Sequence, residues 1–197
     1  MVRTDTNSLE KTKTAGVLQA IFTGRPATIQ FRGKPMLTSI YKQPVEGPVM
    51  VRRLGVEGDE QADLRVHGGP DQAVYCYPAK HYARWQDELG RTLEFGAFGE
   101  NLTVSGLVES SVRVGDVLAV GDAVLQVTRP RFPCFKLGVK FGDQRFVGRF
   151  QKSGRSGFYC RVLQEGMIEP GQPIRLAERD DSQPTIADVV ASRDKEA

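Results

Sequence analysis

Among the residues of this chain, Cys134 is the best equipped for chemistry. It lies in VTRPRFPCFKLG, residues 127–138, with Arg129, Arg131 and Lys136 no more than five residues away. Neighbouring cations lower a thiol's pKa and favour the thiolate, the form that attacks electrophiles or ligates soft metals. Pro130 and Pro133 lack amide donors and cannot continue a central strand. The chain is therefore expected to leave its sheet after Thr128 and carry Cys134 on a loop, a frequent seat of functional groups. The alternative is an inert buried thiol with its arginines turned to water. Cys76 in AVYCY and Cys160 in GFYCRV lie in strand-like runs without a cationic loop and read as core.

Three other stretches hold candidate binding residues. In GVEGDEQADLRVHGGPDQAV, residues 55–74, Gly68-Gly69-Pro70-Asp71 is a tight turn whose amides could receive an anion. Arg65 and His67 precede it two residues apart, so a strand-like backbone points both to one side. A plain turn with a hydrogen-bonded histidine is the alternative. In FGAFGENL, residues 95–102, Asn101 can both donate and accept, as the edge of a heterocycle requires; a simple loop is the other reading. In SIYKQPV, Lys42 stands before a Gln-Pro turn at a strand end, where a lysine is usually just solvated.

Other chemistry is narrowed by composition. Three cysteines without a CxxC, and two histidines without HExxH, argue against a disulfide framework and against a structural zinc site. A metal would have to be held by one cysteine together with non-protein ligands. The net charge of +3 does not call for a nucleic-acid polymer, but its distribution is uneven. Residues 129–161 carry nine Lys/Arg and one acid, Asp143, which points to an anion site or to a solvated basic face.

The elements that must position these residues are mostly strands. GVLQAIFTG, ATIQF, MLTSIYK, GPVMVRR, AVYCY, SVRVGDVLAV, AVLQVT, GFYCRVL and PIRLA all have strand character. Gly121-Asp122 between VLAV and AVLQVT predicts a two-residue hairpin. PAKHYARWQDELG predicts a helix from Pro78 to Gly90 with Tyr82, Trp85 and Leu89 on one face. DQRFVGRFQKSG predicts another, with Asp143 as N-cap, Phe146 and Phe150 on one stripe and Gly154 as C-cap. At 197 residues, 40% hydrophobic and 26% charged, the chain suits one domain with a sizeable core. Residues 1–14 are expected to form a disordered arm, and 178–197 a linker and a short helix. No run of 18 apolar residues occurs, and a cytoplasmic protein is expected.

SIYKQPV, GVEGDEQADLRVHGGPDQAVYCYP, FGENL, SVRVGD and VTRPRFPCFKLG occur in the order seen in MOSC-domain proteins, named for the molybdenum-cofactor sulfurase C-terminal domain. The sequence resembles the bacterial YiiM-like branch over about residues 15–177. The resemblance implies a mainly β, α+β fold: a barrel decorated with a few helices, binding a pyranopterin molybdenum cofactor (molybdopterin). In catalytic relatives a cysteine ligates molybdenum, and Cys134 is the matching position. The implied reaction is two-electron reduction of N-hydroxylated compounds, such as N-hydroxylated purine bases, with release of water. Electrons would come from an external flavin-type donor protein. Lys42, Arg65, His67, Asn101, Arg129, Arg131 and Lys136 become candidates for holding phosphate or pterin. The resemblance implies no nucleic-acid polymer or membrane partner, and a monomer or dimer. That branch commonly carries a C-terminal helical bundle, for which this sequence has room for one helix. Two alternatives stay open: a sulfur-carrier or cofactor-handling module with a persulfide on Cys134, and an anion-binding domain without redox chemistry.

Overall fold

Seven strands rich in buried apolar residues close into a barrel in the computed structural model, which describes residues 13–62 and 68–196. Arg65, His67 and residues 1–12 of the expected N-terminal arm lie outside the described residues. The first half of the chain gives β1 (Thr14–Thr23), β2 (Ala27–Phe31), β3 (Lys34–Thr38), β4 (Gln43–Val45), β5 (Val49–Arg52) and β6 (Gly55–Val56). A 3-10 turn (Pro70–Gln72) leads to β7 (Val74–Pro78), α1 (Lys80–Leu89) and β8 (Leu102–Ser105). Then come β9 (Val117–Val120), β10 (Ala123–Pro130), α2 (Phe135–Phe141) and α3 (Arg145–Lys152). The chain finishes with β11 (Phe158–Gln164), β12 (Gly166–Ile168), β13 (Pro173–Glu178) and α4 (Ile186–Glu196).

The barrel order is β13-β9-β10-β11-β7-β8-β1, and antiparallel pairing of β13 with β1 closes it; β4 adds to the far end of β1. Only closure of this kind removes every sheet edge. β7 and β8 run parallel, which demands a crossover, and α1 lies in that connection. Leu18, Val104, Leu118, Leu125, Val127, Phe158 and Ile174 belong to the aliphatic core. The predicted hairpin is present: Val120 pairs with Ala123, and Gly121 has φ 53°. A Cβ there would also meet the Met167 carbonyl at 2.2 Å, so the turn needs glycine twice over.

A second, aromatic core lies under the helices. Tyr82 and Trp85 of α1 pack with Tyr77, Phe98, Phe141, Phe146 and Phe150. Trp85 stacks on Phe150 with centroids 5.9 Å apart, and Phe141 on Phe146 at 4.0 Å. The predicted faces of both helices are thus the buried ones.

Several local expectations need correction: the strand predicted over SVRVGDVLAV is confined to Val117–Val120, and the α3 C-cap is Ser153 rather than Gly154. Pro78 ends β7 rather than opening α1, whose N-cap is Ala79. The α3 N-cap is Gln144; Asp143 instead accepts from the Arg145 amide at 2.9 Å. The strand predicted over MLTSIYK stops at Thr38. Finally, β10 continues past Thr128 to Pro130, with an irregularity between Val127 and Arg129. β9 pairs only with residues 123–126, so the last part of β10 is an edge on that side, where proline removes no ladder bond.

Candidate functional site

The end of β10 delivers Arg129 and Arg131 to a cavity of about 290 Å³. Cys134, Lys136, Lys42 and Asn101 also line it, so every described sequence candidate converges here. Cys134 is half-buried and occupies the N-cap position of α2 with extended backbone (φ −114°, ψ 170°). It therefore stands at a loop-to-helix junction rather than in a long loop. The Lys136 ammonium donates to the Leu37 carbonyl at 3.1 Å and ties α2 to the end of β3.

Arg131 is buried, 6% exposed, with its guanidinium 5.3 Å from the Tyr75 ring centroid and 5.2 Å from that of Phe150. Tyr159 lines the same cavity. Among the described residues Arg131 Nη1 has no hydrogen-bond partner, and neither has the buried Ser39 Oγ of the same cavity, nor two nitrogens of Arg155 outside its lining. Buried donors left unmatched are uncommon, and they point to a group that completes them.

Another set of lining residues is held together around Asp59. Asp59, its side chain only 2% exposed, forms an ion pair with Lys42 Nζ. It also accepts from the Gly24 amide at 2.7 Å and from Asn101 Nδ2 at 2.8 Å. Burial pushes the Lys42 ammonium below the ordinary lysine value, while Asp59 pulls it back up. Asn101 spends its oxygen on the Tyr75 amide at 3.0 Å and its NH2 on Asp59 and the Phe22 carbonyl. In this arrangement it reaches the cavity through Asp59, whereas the sequence reading gave it a pterin edge. The loop before it is held by Glu100, which accepts from the Gly96 and Phe98 amides, Thr103 Oγ1 and the Tyr82 hydroxyl.

A family model described as the MOSC domain matches residues 63–175, more than half of the chain. The chain belongs to the MOSC domain family. The uncharacterized protein YflK of Bacillus subtilis (strain 168) is 50% identical over 156 residues, 79% of this chain and 71% of that one. A protein named reductase in Gibberella moniliformis (strain M3125 / FGSC 7600) is 39% identical over 168 residues, 83% of this chain but 30% of its own length. The crystal structure of YiiM from Geobacillus stearothermophilus matches with a TM-score of 0.77 and 36% identity. That superposition covers 92% of this chain and 85% of that one. Together these make the chain a YiiM-like MOSC protein, and MOSC domains are associated with molybdenum-cofactor binding.

Within this MOSC barrel, sequence reasoning missed Ser39, Asp59, Tyr75 and Tyr159. Asp59 sits inside the quoted stretch 55–74, and a lysine brought to a cavity wall calls for a carboxylate partner. That is the signal that could have found it. The two tyrosines carry no such mark, since in strands they read as core. Among the described residues no helix is long and apolar enough to cross a membrane.

Proposed function

We propose that this chain is a molybdenum-cofactor-dependent reductase of N-hydroxylated compounds, with Cys134 as the protein ligand to the metal. One observation carries the reading: the Cys134 thiol shares a cavity with two buried, unmatched polar atoms, Ser39 Oγ and Arg131 Nη1. A group bearing both a soft metal and a phosphate answers all three, with thiolate on the metal and the other two donating to phosphate oxygens. The residues present therefore fit the cofactor that the family is associated with. The name of the fungal relative supports the same reaction class.

When bound, the cofactor would supply the two-electron chemistry that cleaves the N–O bond. Each turnover consumes two electrons and two protons and leaves the amine or amidine and one water. The protein's own residues bind and orient. Cys134 fixes the metal's position, and Arg131, Arg129 and Lys136 place positive charge around the phosphate. Arg65 and His67 complete the basic set proposed from the sequence. Lys42 Nζ, held by Asp59, keeps a proton at the cavity wall, and Asn101 keeps Asp59 in place. An N-hydroxylated purine base is the proposed substrate, and a separate flavin-type protein in the cytoplasm the electron source.

The test is metal analysis and turnover of protein made in a molybdate-supplied, cofactor-competent host, wild type beside Cys134→Ser. Near-stoichiometric molybdenum in the wild type is expected, with reduction of an N-hydroxylated purine driven by a chemical reductant. The serine variant should lose turnover by about three orders of magnitude or more, as expected when a reaction's key group is removed. Molybdenum-free protein with a persulfide on Cys134 would replace this reading with a sulfur carrier. Unchanged anion binding in both proteins, with neither metal nor turnover, would leave an anion-binding domain.

A further inference from the structure

Two segments that meet at the cavity rim have a one-sided charge. Residues 24–45 contain four Lys/Arg and no acid, and residues 129–142 contain four more and again no acid. Lys42, Arg131 and Lys140 turn inward and Arg129 and Lys136 stand at the cavity lining, leaving Arg32, Lys34 and Arg25 (paired with Glu60 at 3.8 Å) exposed outside it. The β2–β3 hairpin and α2 touch directly. The Phe31 and Phe135 rings are 5.6 Å apart, Arg32 lies over Phe31 at 5.3 Å, and Lys136 Nζ binds the Leu37 carbonyl. Leu37 and Phe135 are nonetheless 47% and 46% exposed. Exposed aromatic and aliphatic groups ringed by like charges are the make-up of a docking face, since a solvated face has no need of the rings.

We propose that this face, the β2–β3 hairpin with the start of α2, docks an acidic redox protein that delivers electrons to the Cys134 site. The inference rests on the reductase reading and adds the partner's chemistry and its place. Charge complementarity selects an acidic partner and steers its approach. Small redox encounters bury little surface, below about 1,200 Å², so a few exposed rings with a basic rim suffice. Position supports it further, because one peptide bond joins the exposed Phe135 to Cys134. For each N–O bond cleaved, the partner's reduced flavin loses two electrons, and the two protons come from water.

The test uses a purified acidic flavodoxin as probe, titrated into full-length wild type, the double variant Arg32→Glu/Lys34→Glu, and the control Arg53→Glu on the β5–β6 turn. None of the three positions lines the cavity. At low salt the double variant should bind at least tenfold more weakly than wild type, and the control within twofold. The gap should close in about 0.5 M salt, where surface charges are screened. Turnover with reduced flavodoxin should fall in parallel, while turnover driven by reduced methyl viologen stays at the wild-type rate. Equal flavodoxin binding by wild type and double variant overturns the proposal, as does an equal loss in the control. Displacement of flavodoxin by a dT oligonucleotide that binds more tightly also overturns it, in favour of single-stranded nucleic acid. Absence of methyl-viologen turnover in wild type would instead remove the reductase reading, with the docking face still judged by the binding data.

Discussion

The cavity has two charged walls that differ in completeness. On one, Asp59 accepts from Lys42, Gly24 and Asn101, and Asn101 in turn holds the Tyr75 amide and the Phe22 carbonyl. Elsewhere in the lining, Arg131 lies between two rings with Nη1 unmatched among the described residues; Ser39 Oγ is unmatched as well, and Cys134 lines the same cavity. A buried polar group with all its partners belongs to the architecture, because removing it strips the others. A buried donor aimed at a cavity without a partner costs desolvation that a ligand would offset. The first wall is thus built for folding and the second for binding. Substitutions on each should separate stability from ligand affinity.

The largest effect is expected where the network is complete. Asp59→Ala removes one carboxylate and leaves three donors without their acceptor, among them the Lys42 ammonium with a side chain 9% exposed. Breaking a buried pair by deleting one partner costs about 3–5 kcal/mol. Urea unfolding should show the stability lowered by that amount, as a lower midpoint at unchanged slope. Removing both charges with Asp59→Leu/Lys42→Met should recover only the part due to the stranded ammonium, since the Gly24 amide and Asn101 Nδ2 still lack their acceptor. An Asp59→Ala protein as stable as wild type would erase the distinction between the walls.

A smaller effect tests the seam between them. The Lys140 ammonium donates to the Ile40 carbonyl at 3.0 Å and the Gly96 carbonyl at 2.7 Å, joining the turn after β3 to the loop before β8. Burial lowers its pKa from 10.5 to about 8; Glu100 opposes the shift, and Lys42 and Arg131 add to it. The folded value lies below the unfolded one, so between about 8 and 10.5 the unfolded chain binds more protons. Stability from this group therefore rises with pH across that window and is lowest below it. Unfolding measured at neutral pH and near pH 10 should give the wild type a rise of about 1–2 kcal/mol relative to Lys140→Met. Lys42, also lowered by burial, is present in both proteins and largely cancels. Parallel pH curves would show that Lys140 carries no buried charge.

The same contrast governs what could be read from sequence. Most strands of the barrel announce themselves as short apolar runs between glycines and prolines, and the β9–β10 hairpin by Gly121-Asp122. β8, four residues after a glycine-rich loop, and α2, seven residues behind two prolines and containing Gly138, are too short to show a period. The binding wall was legible because Cys134, Arg129, Arg131 and Lys136 are crowded into one punctuated stretch. The folding wall was legible only in part: Lys42 and Asn101 stood out, but Asp59, which joins them, lies 17 residues from one and 42 from the other. Ser39 Oγ was missed for a related reason, since an unmatched hydroxyl becomes informative only once its surroundings are closed.

The smallest effect on stability is expected at the residue that matters most for binding. Arg131 is buried against Tyr75 and Phe150 with one N–H unmatched, and among the described residues it has no carboxylate within 4 Å. Arg131→Met keeps an unbranched side chain between the rings and removes a costly buried charge. It also takes away the cation's contacts with the Tyr75 and Phe150 rings, worth about 1 kcal/mol. These opposing contributions should leave the variant within about 1 kcal/mol of wild type in urea unfolding. Binding of inorganic phosphate to the cofactor-free protein, read by calorimetry, should weaken at least tenfold. A variant that loses several kcal/mol of stability yet binds phosphate normally would assign Arg131 to the architecture, and the two walls would then be alike.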